Sequence, residues 1–115
     1  MAEKESVEIF LNTLKTKIKT FGIIFRDDRG KNMQTLSELE ITPQYRKDVI
    51  ASIDISDFIS GPIPDTLHYL GDMWVFGKEI KDRNVYIKIT LGKINTSAIC
   101  ISFHIAERKL KYKFK

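Results

Sequence analysis

Four side chains on what read as neighbouring β-strands carry the reactive chemistry of this sequence: Glu79, Tyr86, Lys88 and His104. Histidine changes charge near neutrality, so it can take up a proton or return one at physiological pH. Tyrosine can orient a phosphate or stack on a base, and lysine supplies positive charge. Together these types match what metal-free RNA cleavage requires. A base must take the ribose 2′-OH proton, cations must stabilise the charge building on the phosphate, and an acid must protonate the departing 5′-oxygen. His104 is the first candidate for acid or base, with Tyr86 and Lys88 as the other candidate catalytic residues. Arg108, Lys78, Arg29 and Lys109 are the candidate RNA-binding cations. Polar residues line the solvent face of any half-exposed antiparallel sheet, so the cluster alone does not separate a nuclease from an ordinary surface.

Other catalytic schemes lack their parts. The chain has no Gly-rich phosphate loop, H-E-x-x-H pair, nucleophile elbow or Cys/His metal spacing, and Ser102 lacks an acid-oriented base. His68 has no second His, Cys or carboxylate at metal spacing. No metal and no cofactor is expected.

The elements that must position the cluster are two consecutive β-hairpins, with strands at Met73–Ile80, Asn84–Leu91 and Ala98–Ile105. Successive strand side chains project to opposite faces. In the middle strand Val85, Ile87, Ile89 and Leu91 form one face, and Tyr86, Lys88 and Thr90 the other. The third strand divides into Ile99, Ile101, Phe103 and Ile105 against Ala98, Cys100, Ser102 and His104. A two-residue turn at Asp82-Arg83 predicts Glu79 opposite Tyr86 and Gly77 opposite Lys88, with Trp74 and Phe76 on the core face. If the Gly92–Ser97 loop sets Tyr86 opposite His104, Lys88 faces Ser102, and the four side chains share one patch.

The rest of the chain supplies cover for the apolar face. Val7, Phe10, Leu11, Leu14, Ile18 and Phe21 recur at spacings of three and four, which predicts an amphipathic helix over Ser6–Phe21, ended by Gly22. Ile23–Phe25 reads as a short strand entering the charged turn Arg26-Asp27-Asp28-Arg29-Gly30-Lys31-Asn32. That turn is either a self-neutralising loop or an arginine pair held by carboxylates near a phosphate site. Thr35 and Glu38 have capping-box spacing, and Thr42-Pro43 opens a further helix. Asp54–Asp65, with Gly61, Pro62 and Pro64, predicts an irregular connection. The tail alternates Lys109-Leu110-Lys111-Tyr112-Lys113-Phe114-Lys115 and reads either as an edge strand or as a basic arm that grips phosphates and sets Tyr112 or Phe114 against a base.

These elements make one domain, residues 1–115, of α+β class: an antiparallel sheet packed on N-terminal helices. A hydrophobic content of 43% supports a core without a disulfide, and the single Cys100 fits a reducing compartment as a small buried hydrophobe. Glu3, Lys4 and Glu5 stand where a signal peptide needs apolar residues, and no long uncharged apolar run follows, so a cytoplasmic protein with no membrane association is expected. Residues 74–115 carry a net +7 and residues 1–73 a net −3, which places the positive charge around the cluster. Such a field draws polyanions.

At Trp74, at Val85-Tyr86-Ile87-Lys88-Ile89-Thr90 and at Ile101-Ser102-Phe103-His104, the chain resembles the MqsR family of bacterial toxins, within the RelE-like mRNA interferases. Asp57-Phe58 is a weaker upstream match. The resemblance implies a RelE/MqsR-like domain that cleaves mRNA endonucleolytically without a metal. It also implies a type II toxin–antitoxin system in which a cognate antitoxin, encoded alongside, holds the toxin inactive. The family's active-site tyrosine falls on Tyr86. Its lysine after the S-F pair falls on His104, its glutamine after the tryptophan on Val75, and a further lysine near Ser60. The competing expectations are a non-catalytic RNA-binding or protein-interaction module, and a structural domain whose exposed strand edge pairs with a partner chain.

Overall fold

In the computed structural model, which describes residues 2–28, 30–67 and 71–115, the chain is α+β. The elements run α1 (Ala2–Phe21), β1 (Ile23–Phe25), α2 (Lys31–Leu39), α3 (Pro43–Ala51), a 3₁₀ turn (Ile55–Asp57), β2 (Phe58–Ile63), β3 (Met73–Ile80), β4 (Arg83–Thr90) and β5 (Ala98–Ile105). The strands form one mixed sheet in the order β1-β5-β4-β3-β2, with β1 parallel to β5 and the other pairs antiparallel. His68 and Arg29 lie outside the described residues. No helix among the described residues is long and apolar enough to cross a membrane.

The amphipathic stripe forms α1 as its spacing dictates. Val7, Phe10, Leu11 and Leu14 are buried against the sheet, and Gly22, at φ 79°, closes the helix with its amide donating to the Ile18 carbonyl. Phe10 stacks on Trp74 at 4.8 Å between ring centroids, and Phe58 meets Phe76 edge-on at 5.8 Å. Thr42 caps α3 by accepting from the Tyr45 amide at 3.0 Å, with Pro43 at the first helical position. Phe76, Val85, Ile87, Ile89 and Phe103 complete the core on the sheet side.

Four local expectations are corrected. Asp54–Asp65 contains β2 rather than an irregular loop: Gly61 and Pro62 fit an edge strand whose register slips between Phe58, Ser60 and Ile63. Helix α2 begins at Lys31, so Thr35 is an interior residue and not a cap. The first hairpin turns at Lys81-Asp82, both at positive φ, which suits the twist of a two-residue hairpin loop. Glu79 therefore faces Asn84, and Gly77 faces Tyr86. In β5 the register shifts by one residue after Lys88↔Ser102, so that Ala98 and Cys100 face the core before the bulge and Phe103 after it. Cys100 is fully buried, and burial pushes its thiol far above the usual range.

The charged turn is absorbed by this architecture. Asp27 takes a two-pronged ion pair from Arg46 of α3, at 3.0 and 3.1 Å, and the Arg46 guanidinium lies 3.5 Å over the Phe25 ring. Strand β1 stops at Phe25, leaving the rest of the β5 edge without a strand partner. Asn32 and Thr35 of α2 take over: Asn32 accepts from the Phe103 amide at 2.9 Å and donates to the Arg26 and Ile101 carbonyls, and the Thr35 hydroxyl accepts from the Ile105 amide at 3.2 Å. Two buried side chains thus satisfy an edge that a sixth strand would otherwise cover.

Candidate functional site

The face of the sheet turned away from α1 is built by alternation in β3, β4 and β5. Tyr86 faces His104 and Lys88 faces Ser102 across the β4–β5 pair, as the sequence register predicts. The Tyr86 and His104 rings stack at 5.2 Å between centroids with an interplanar angle of 17°, and the Lys88 ammonium lies 6.0 Å from the Tyr86 centroid. His104 Nδ1 is 3.1 Å from the Ile105 carbonyl oxygen. A carbonyl can only accept, so this bond requires the proton on Nδ1 and makes Nε2 the acceptor of the neutral ring. Burial raises the Tyr86 phenol above its usual range, which keeps it a hydrogen-bond donor at neutral pH.

A groove of about 540 Å³ runs over this pair, between the β4–β5 face and residues 106–111. Tyr86, Lys88, Ser102, His104 and Ile59 lie along it, and Arg108, Lys109 and Lys111 form its outer wall. No ion pair among the described residues engages Lys88, Arg108, Lys109 or Lys111. Glu107, at the same wall, is tied to Lys31 at 2.5 Å, and that hydrogen bond holds its carboxyl below the usual range.

The other candidates are placed elsewhere. Lys78 projects to the opposite, helix-bearing face, between Gly77 and Glu79, where it pairs with the mostly buried Asp57 at 2.9 Å. It braces the 3₁₀ turn and does not reach the groove. Glu79 stays on the groove's face of the sheet but opposite Asn84, one pair beyond Tyr86, and is not among the groove's lining residues. Among the described residues no three His, Cys, Asp or Glu side chains gather as metal ligands.

The tail is not an edge strand, and its aromatic rings are not free to meet a base. Residues 106–115 form no strand, and Tyr112 and Phe114 turn inward. Phe114 stacks on Phe58 at 5.6 Å, the Lys113 amide donates to the Phe58 carbonyl at 3.0 Å, and its ammonium pairs with Glu3 at 2.8 Å. Leu110 and Tyr112 cross the sheet at Gly77, where a Cβ would come within 2.6 Å of the Tyr112 hydroxyl and 2.7 Å of Leu110. Ile59 in the groove and Gly77 beneath the strap have no signal in the sequence that would assign them there, while Lys111 belongs to the basic alternation of the tail. The usable signal was the alternation of the tail, which matches a strap with one apolar and one basic edge.

Ser60 pairs with Val75, Val75 with Lys88 and Lys88 with Ser102, two residues along the strands from Gly77, Tyr86 and His104. Val75 is buried, so that position offers no polar group to the groove. No family model, curated protein or solved structure matches this chain.

Proposed function

We propose that this protein is a metal-independent endoribonuclease that cleaves mRNA as the toxin of a type II toxin–antitoxin pair. The observation that carries the reading is the stacked Tyr86–His104 pair, with Lys88 beside it, at the floor of a groove walled by Arg108, Lys109 and Lys111, which no ion pair among the described residues engages. His104 Nε2 takes the proton of the ribose 2′-OH. The 2′-oxygen attacks phosphorus, the bond to the 5′-oxygen breaks, and the imidazolium returns its proton to that oxygen. The products are a 2′,3′-cyclic phosphate and a 5′-hydroxyl. Lys88 and Arg108 stabilise the charge on the non-bridging oxygens, and the protonated Tyr86 phenol hydrogen-bonds the phosphate while its ring fixes the plane of the imidazole. The positions to which the MqsR resemblance points, Ser60, Val75, Tyr86 and His104, fall in two rows of one sheet, next to each other on one face with the Phe76–Ile87–Phe103 row between them, which supports the same reading. An mRNA substrate goes with a cytoplasmic location.

The test is expression in a bacterial host together with cleavage of purified RNA. Growth arrest and cleavage by the wild type, relieved by coexpression of the neighbouring reading frame, are the expected results. Both activities are lost in His104→Ala and reduced in Tyr86→Phe. Unchanged activity in both folded variants removes the pair from the mechanism. Salt-sensitive binding with RNA left intact turns the reading toward a non-catalytic RNA-binding module.

A further inference from the structure

The strap formed by residues 106–115 is more than a wall. Its exposure alternates: Leu110, Tyr112 and Phe114 are half-buried, while Lys109, Lys111, Lys113 and Lys115 are exposed. The apolar edge is seated at two points, Leu110 and Tyr112 over Gly77 and Phe114 on Phe58. Gly77 is the residue on β3 that allows this approach, because any side chain there meets the strap. Burial, with the negative charges of Asp57 and Glu79, raises the Tyr112 phenol, as befits a ring laid against protein. The basic edge is held in place by contacts that do not use Arg108, Lys109 or Lys111.

Lys109 and Lys111 are alternate residues of the strap with no bend between them, and alternate residues of an extended chain stand about 7 Å apart, comparable with the distance between successive phosphates of an extended single strand. The row starts beside His104 and runs across β3 toward β2. We infer that the docked strap is a phosphate rail for single-stranded RNA: Arg108, Lys109 and Lys111 carry the backbone beyond the scissile phosphate, and Phe114 and Gly77 hold that rail against the sheet. This rests on the nuclease reading for where the RNA enters, but the rail binds whether or not the strand is cut.

The experiment uses the full-length protein carrying His104→Ala, so that RNA stays intact, and measures binding of labelled oligouridylates of about four and about twelve nucleotides, within the range of single-strand site sizes. The longer RNA binds at least tenfold tighter. Lys109→Gln with Lys111→Gln lowers the slope of log affinity against log salt by about 1.4, since each phosphate contact on a single strand contributes about 0.7. Phe114→Ala keeps all the cations yet weakens the longer RNA at least fivefold and leaves the shorter one unchanged. Should Phe114→Ala fail to fold, Gly77→Ala displaces the strap from the other side and gives the same pattern, with binding recovered when Tyr112→Phe and Leu110→Ala are added. Equal affinity for both lengths, or a folded Phe114→Ala or Gly77→Ala that binds like its parent, overturns the rail. A polyglutamate peptide that binds as tightly as the longer RNA overturns it in favour of an acidic protein partner. Cleavage of a minimal substrate with no length dependence removes the rail alone. Length-dependent binding without cleavage by the parental protein leaves the rail and removes the nuclease.

Discussion

The two faces of the sheet are made by the same strands and obey different rules. On the helix-bearing face Phe76, Ile87, Ile89 and Phe103 are fully buried beneath α1 and its neighbours, and their identity is set by volume. On the other face Tyr86, Lys88, Ser102 and His104 line a groove beside the strap, and Gly77 clears Leu110 and Tyr112 of that strap. One face therefore carries the stability of the fold, and the other carries the chemistry proposed for it. Substitutions on the two faces must separate accordingly.

The largest effect belongs to the core face. Phe76→Ala is expected to cost about 3–5 kcal/mol, because a fully buried ring leaves a cavity that its neighbours fill only in part. Urea denaturation measures it. The same titration on His104→Ala is expected to change stability by about 1 kcal/mol or less while activity is lost. Equal losses of stability on both faces would erase the comparison.

Next comes the buried bracket between α3 and β1. Arg46 is 5% exposed and Asp27 29%, so Arg46→Ala is expected to cost about 3 kcal/mol, the low end for breaking a buried pair. The Arg46 Nε is itself buried without a hydrogen-bond partner among the described residues. A methionine there is expected to restore part of the loss by packing on Phe25.

A smaller effect, about 1–3 kcal/mol, is expected for Asn32→Ala, which leaves the Phe103 amide buried without an acceptor. Hydrogen exchange sharpens this test, since the loss of protection should centre on Phe103, while Ile105, whose amide bonds Thr35, keeps more of its own.

These two brackets also show where the sequence stopped being legible. Alternation in Val85–Leu91 fixed β4, because only one of its faces is apolar. In Ala98–Ile105 both phases contain apolar residues, so period two could not choose between Cys100 and Ile101 for the core, and the bulge that places Cys100 inside left no glycine as a marker. The first turn lies one residue earlier than the sequence suggests, because Lys81 and Asp82 adopt positive φ without an Asn-Gly or Asp-Gly pair to show it. Tyr86, Lys88 and His104 survived the correction because they depend on the β4–β5 register alone. Glu79 does not, since its place depends on the turn, and the charge of Lys78 says nothing of which face it takes. The roles of Asn32 and Thr35 are tertiary: nothing local says that β1 ends early enough for α2 to complete the β5 edge.

The smallest expected effect is a pH dependence. Tyr86 and Tyr112 are both raised by burial, so the folded chain holds these protons more tightly than the unfolded one. Their contribution is intact below the ordinary phenol pKa of about 10 and is lost as the pH rises through the raised values. Tyr86→Phe is expected to flatten the fall of the thermal transition over that alkaline window and to leave it unchanged at neutrality.

The central claim, that His104 acts as a base on the ribose 2′-OH, is tested most directly by the ends of the cleaved RNA. Wild-type protein should leave 2′,3′-cyclic phosphate on an oligoribonucleotide and leave its 2′-O-methyl counterpart intact. His104→Ala, with an unchanged unfolding transition, should cut about 10²–10⁴ times more slowly. Cleavage of the 2′-O-methyl strand, or a folded His104→Ala that cuts at the wild-type rate, would contradict it.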